Sequence, residues 1–204
     1  MLLLVVVIVS CNNNTVKDER DSPKQGTIHI SVDETFKPVI EEQIKVYEST
    51  FPNAHIIASY KSEADCFRDL QKDSKRLIIV ARGLNEQEQT FYEQKLQFRA
   101  QFDLIAYDAV AVIINVAADD SVFTIKKLEN ILSGKINMEA VMDGKNATST
   151  VRYLKDSILK NKPFGANVVA AKNSEDVVKV VSEKKNAIGF VGLNWIGDNY
   201  DEKQ

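Results

Sequence analysis

The order of apolar and polar positions divides most of the chain into short alternating elements. Ile28, Ile30 and Val32 fall on one face of Gly26–Val32, the period of a half-buried strand. Asp33 or Thr35 then caps a helix that tolerates Pro38 in its first turn. Phe36, Ile40, Ile44, Tyr47 and Phe51 form its apolar stripe, and Pro52-Asn53 stops it. A second strand is predicted over Ala54–Tyr60, and a helix capped by Ser62 runs to Gln71 with Phe67 and Leu70 inward. Leu77–Val80 is a short buried strand, Arg82–Asn85 a turn and Glu86–Phe98 a polar helix. This β-α-β-α-β-α order implies a mainly parallel sheet with helices on its faces. Ligands collect at the carboxyl ends of such strands.

The middle of the chain reads differently. Leu104–Ala117 is apolar apart from Tyr107-Asp108 and Asn115, too long for one ordinary strand, so two strands with a bend near Asp108 are expected. Asp119-Asp120-Ser121 opens a helix with Ile125, Leu128, Ile131 and Leu132 inward, closed by Ser133-Gly134-Lys135. Strands follow at Ile136–Met142, Val168–Ala171 and Ala187–Val191. Helices are expected at Thr148–Lys160 and Ser174–Glu183, and a helical turn at Leu193–Ile196.

The first residues are of another kind. Met1–Val9 is one apolar run, too short for a bilayer span of roughly 20 residues but matched to a signal-peptide core. Ile8-Val9-Ser10-Cys11 resembles the bacterial lipobox, in which the cysteine is acylated and becomes the new N-terminus. The alternative is a buried first strand. Asn12–Asn14 and the charged stretch Lys17–Asp21 favour a polar tether over a core strand. No Lys or Arg precedes the apolar run, which places the expected true start upstream of Met1.

The 204 residues are 44% hydrophobic and 27% charged, the composition of a folded globular protein. Twenty-six basic against 29 acidic residues give a net charge of −3, so no global basic excess speaks for nucleic acid. With Cys11 acylated, Cys66 has no disulfide partner and reads as a small buried thiol. A thiol enzyme would need an activating base, and His29 and His55 both sit in strand-like runs. No Cys/His spacing suggests zinc, Asp119 and Asp120 read as helix-start charges, and no phosphate-binding P-loop is present. Trp195 and Tyr200 are candidates to line a pocket, with core packing the better fit.

Three loop-to-helix junctions carry the candidate chemistry: Asp33–Phe36, Lys61–Glu63 and Asn146–Arg152. Each puts hydroxyls where free backbone N–H groups and the positive end of a helix dipole point outward, a ready anion site. Thr35, Ser62, Asn146, Thr148, Ser149 and Thr150 are the candidate donors, joined by Arg82 after the third strand and Arg152 in the later helix. The same residues are equally plain helix caps, and Arg82 is equally placed to pair with Glu86 or Glu88.

From Gly26 to about Gly197 the chain resembles the phosphate-type substrate-binding lipoproteins of bacterial ABC importers, periplasmic binding proteins of the type 2 fold. The resemblance rests on the order of Gly26–Pro38, Val80–Glu86, Tyr107–Asn115, Leu128–Lys135, Asp143–Tyr153 and Asn186–Gly192. It implies an α/β, two-lobed fold of mainly parallel sheets flanked by helices, with the ligand cleft between the lobes. The expected organisation is signal and lipobox over 1–11, tether over 12–25, lobe 1 over 26–106, lobe 2 over 107–190 and the start of a return crossing over 191–204. Carried over by position, Thr35, Ser62 and Asn146-Ala147-Thr148 are the phosphate-holding groups.

Several departures accompany the resemblance. Arg82 takes the place where the family often carries an Asp that accepts the proton of hydrogen phosphate, which puts selectivity against sulfate in question. Met142 stands near the family's arginine, and Ala147 stands where it has glycine. The chain ends soon after the last shared block, so a C-terminally short lobe 1 with exposed apolar surface is expected.

The implied function is capture of phosphate or a similar oxyanion by a monomeric lipoprotein. It would be anchored in the membrane through Cys11, would face the periplasm or cell exterior and would serve the membrane subunits of an ABC importer. No cofactor, metal or nucleic acid enters that reading. The alternative is a non-transport sensor or surface module with the same fold and a degraded pocket. An enzyme such as a phosphatase would want metal ligands or an activated nucleophile, and neither is evident.

Overall fold

The computed structural model describes residues 22–72, 75–97, 99–144 and 148–197. The lipobox with Cys11, Asn146 and Tyr200 therefore lie outside the described residues. Two sheets organise the rest. In the first, β1 (Gln25–Asp33) lies between β2 (Asn53–Lys61) and β3 (Leu77–Ile79), parallel to both. In the second, the order is β4-β7-β5-β6, with β4 at Val110–Ile114, β5 at Glu139–Met142, β6 at Val168–Ala170 and β7 at Ala187–Gly192. β5 runs parallel to β6 and β7, and β4 runs antiparallel to β7.

The helices of the first sheet start as their capping residues dictate. Asp33 accepts from the Thr35 N–H and opens a 3₁₀ turn over Glu34–Phe36, which leads into α1 (Lys37–Thr50). Ser62 accepts from the Asp65 N–H and opens α2 (Glu63–Gln71). Asn85 and Glu88 form a reciprocal capping box at the start of α3 (Glu86–Leu96). α1 lies over β2, and α2 over β1 and β3. Cys66 and Phe67 of α2 and Tyr92 of α3 are buried, as are Ile30 and Val32. Burial pushes the Cys66 thiol up to about 12, the inert state of a packed cysteine.

The second sheet is covered on both faces. Leu128, Ile131 and Leu132 of α4 (Ile125–Leu132) pack with Val151 and Leu154 on Ala140, Met142, Ile188 and Phe190. The opposite face takes Val177 and Val181 of α6 (Ser174–Glu183) on Val141, Ala187 and Val191. Strict alternation along β5 and β7 is what sends neighbouring residues to opposite cores. α4 ends at Gly134, whose φ of +81° is open to glycine and strained for other residues.

Three sequence expectations are corrected. Residues 104–107 form no strand. Ile105 and Tyr107 are 74% and 91% exposed, and without a neighbouring strand the extended backbone has nothing to pair with. The helix expected from Asp119 starts at Ile125 because Thr124 supplies the cap, while Asp120 turns back to the Val122 N–H; Ile125 is exposed. The helix expected over Thr148–Lys160 is an α turn, α5 (Ser149–Tyr153), continued by a π-helical turn over Leu154–Ile158.

Candidate functional site

The carboxyl ends of β1 and β2 face those of β5, β6 and β7, and side chains from the two sheets meet there. Thr35 is central. Its hydroxyl lies 3.4 Å from Asp143 Oδ2 and 3.4 Å from the Thr150 hydroxyl. Its carbonyl accepts from the Trp195 indole N–H at 2.9 Å. Close approach is possible because β7 ends in glycine: a Cβ on Gly192 would stand 2.7 Å from the Thr35 methyl. The Thr148 hydroxyl donates to Asp143 Oδ1 at 2.8 Å and accepts from the Val151 N–H, so one residue both caps α5 and holds the carboxylate. Thr35, Asp143, Thr148, Ser149 and Thr150 are all buried.

Two further links cross between the sheets. The Ser174 N–H and hydroxyl donate to the Glu34 carboxylate at 3.3 and 2.8 Å. Arg152 makes a bidentate pair with Glu63, at 2.7 and 3.0 Å, and the Glu63 side chain is only 5% exposed. Arg82 is committed elsewhere. Its guanidinium forks onto Glu88 at 2.7 and 2.9 Å, lies 4.1 Å from the Phe67 ring centroid and reaches Glu63 only at 4.0 Å. Of the two partners the sequence left open, Glu88 is the one found.

The site is rich in carboxylates held above their usual range. Burial pushes the Asp33 carboxyl up to about 7, against hydrogen bonding from Ser149 and the Thr35 N–H. The like charges of Glu63 and Asp143 add to that rise. One Asp33 oxygen is buried with no hydrogen-bond partner. Burial likewise raises Glu34 and Asp143. Carboxyls raised in this way are suited to exchange a proton with a bound ligand.

A cleft of about 330 Å³ opens beside this cluster. Glu34, Lys37, Tyr60, Lys61 and Ser62 line it from the first sheet's side, and Asp143, Thr148, Lys172, Asn173, Glu175 and Trp195 from the second's. Ser62 borders the cleft, but its hydroxyl is spent on Asp65. Thus Thr35, Thr148 and Thr150 come together, Ser149 stands beside Asp33, and Arg152 and Arg82 each grip a glutamate. Among the described residues no group of three or more His, Cys, Asp or Glu side chains is placed to hold a metal ion. No helix among them is long and apolar enough to cross a membrane.

The sequence reading missed the acceptors. Asp33 read as a cap, Asp143 as a turn, Ser174 as a helix start, and Glu34 and Glu63 only as neighbours within the hydroxyl-bearing junctions, while Lys37, Tyr60 and Lys172 were not singled out. Trp195 read as core. The usable hint was position: Asp33, Glu63 and Asp143 all sit within two residues of a strand's carboxyl end.

Residues 18–203 match the PBP superfamily domain, and the chain belongs to that superfamily. Its fold is similar to that of a Clostridium perfringens protein described as a phosphate ABC transporter substrate-binding protein, solved with bound phosphate. That match has a TM-score of 0.74 and 16% identity and covers 84% of this chain and 72% of that one. An ABC-type phosphate transport receptor from Vibrio cholerae matches with a TM-score of 0.57 and 16% identity over 84% of this chain and 73% of its own. A sulfate-bound regulatory domain of OxyR2 from Vibrio vulnificus matches with a TM-score of 0.59 and 10% identity over 86% and 75%. These likenesses concern the fold. Among curated proteins none matches the chain.

Proposed function

We propose that this member of the PBP superfamily captures phosphate, or a similar oxyanion, and delivers it to an ABC importer. The observation that carries the reading is the convergence of the Thr35 hydroxyl from one sheet with those of Thr148 and Thr150 from the other, around Asp143 and beside the cleft. Hydroxyls donate to anionic oxygens, and a buried carboxylate accepts the proton that hydrogen phosphate carries and sulfate lacks. Asp143, which lines the cleft, is then the acceptor that Arg82 is not. One protein of similar fold was solved with bound phosphate and another is a phosphate transport receptor, which agrees with this chemistry.

In this reading residues 26–106 are lobe 1, 107–190 lobe 2 and 191–204 the start of a return crossing. Arg152 serves the site as a positioning residue through Glu63, and Arg82 through Glu88. Ser62 borders the ligand. Cys11 carries the lipid that holds the protein outside the cytoplasm. The protein binds and releases, with no bond broken, and works as a monomer.

A second reading has a specific observation behind it. The protein's own carboxylates fill several anion-binding donors: Glu63 on Arg152, Glu88 on Arg82 and Glu34 on Ser174. That self-satisfied seam suits a sensor or surface module, and a regulatory domain is among the proteins of similar fold. Calorimetric titration of the full chain with phosphate, and with sulfate as control, separates the two. Transport predicts phosphate binding that weakens at least tenfold in Thr148→Ala. No heat from either anion in a folded sample would overturn it.

A further inference from the structure

The cleft is larger than the ion. Its 330 Å³ holds roughly ten waters at about 30 Å³ each and falls at the lower end of pockets that take small organic ligands. The buried end is already grouped on Asp143, with the Thr35 and Thr148 hydroxyls turned to that carboxylate. The open end is less committed. The Tyr60 hydroxyl oxygen is buried and meets no hydrogen-bond partner, a costly state for a polar atom out of water. Burial also pushes that phenol up to about 12, so it stays a neutral donor. Lys172, just before the cap of α6, lines the cleft from the opposite side and forms no ion pair among the described residues. The Trp195 N–H is spent on the Thr35 carbonyl, which leaves the indole ring as a wall. Glu175 beside Lys172 gives this end both signs of charge, which suits a polar organic group better than a second bare anion.

We propose that the cleft takes a phosphate monoester in preference to the free ion, with the ester's small polar organic group set against Tyr60, Lys172 and Trp195. The proposal rests on the oxyanion reading above and deepens it: the phosphoryl oxygens keep the threonine cluster, and the alcohol portion fills the open end. Tyr60 belongs to β2 of the first sheet and Lys172 follows β6 of the second, so such a ligand adds one contact on each side to those of the threonine cluster and favours the closed arrangement further.

The test is calorimetric titration of the full chain with inorganic phosphate, glycerol 3-phosphate and phosphoethanolamine at one pH and ionic strength. At least one monoester is expected to bind tenfold or more tighter than phosphate. The Tyr60→Phe/Lys172→Gln double variant is expected to weaken that monoester at least tenfold and phosphate less than threefold. A monoester advantage below tenfold overturns the inference and leaves the oxyanion reading standing. An advantage that survives the double variant overturns the assigned subsite. If a folded sample binds none of the three, the oxyanion reading fails and the inference falls with it.

Discussion

In the four-stranded sheet, alternate residues of β5 and β7 meet helices on both faces, and the largest of them, Phe190, is fully buried. In the three-stranded sheet the cover is partial: α1 buries no side chain completely, and Val39, Val46, Ile57 and Leu77 remain exposed. The polar seam between the sheets shows a matching asymmetry. The first side contributes mostly acceptors, Glu34, Glu63 and the Thr35 carbonyl, while the second contributes donors, Ser174, Arg152 and the Trp195 indole; the Thr35 hydroxyl, which donates to Asp143, runs the other way. One half of the molecule is thus set by apolar packing, and the other depends more on what it holds across the cleft. A ligand that joins the two should stabilise the first side more than the second.

The sharpest way to break this comparison is to truncate each half. Phe190→Ala should cost about 4 kcal/mol in denaturant unfolding, because it empties the buried core beneath α4 and α5. Ile44→Ala, on the half-buried stripe of α1, should cost about 1 kcal/mol. Equal costs would mean that the first half is as tightly packed as the second.

Next in size is the pH dependence. Folded Asp33 keeps its proton up to about pH 7, while the unfolded chain releases it near pH 4. The folded state therefore binds more protons across that window, and stability falls as pH rises through it. A rise of about three units corresponds to at most about 4 kcal/mol. Asp33→Asn should flatten the pH 4–7 dependence in thermal unfolding, and a slope unchanged by that substitution would remove Asp33 from the account.

Cutting the seam should come third. Among the described residues, Arg152→Ala leaves Glu63 buried with only the distant Arg82 for company and should cost about 2 kcal/mol. Hydrogen exchange should then speed up in α2 before it does in β5. The smallest effect belongs to Arg82–Glu88, whose side chains are 30% and 22% exposed. Arg82→Gln should cost about 1 kcal/mol and change phosphate affinity less than Thr148→Ala does.

Much of the fold was legible in the sequence. Period-two alternation marked β1, caps at Asp33 and Ser62 fell where helices open or follow, and the helix expected from Ser174 starts there. What failed was the apolar run at 104–107, since apolar composition cannot show whether a neighbouring strand exists to pair with. Half of the site was legible too, because threonines at helix starts advertise donors. The acceptors were hidden for a physical reason. A carboxylate's burial depends on which other segment packs against it, and Asp143 meets Thr35 across 108 residues of chain. Arg82 and Arg152 drew notice as anion binders, but nothing local reveals that a glutamate has taken the guanidinium first.

The central claim is that the seam around Thr35, Thr148 and Asp143 is where a phosphoryl group binds. The most direct measurement is equilibrium dialysis of the full chain against radiolabelled phosphate at fixed ionic strength, alongside the Thr35→Ala/Thr148→Ala double variant. The account expects retained label that excess unlabelled phosphate displaces and that the double variant fails to retain while still folded. A folded wild-type chain that retains no label, or a double variant that retains as much as wild type, would contradict it.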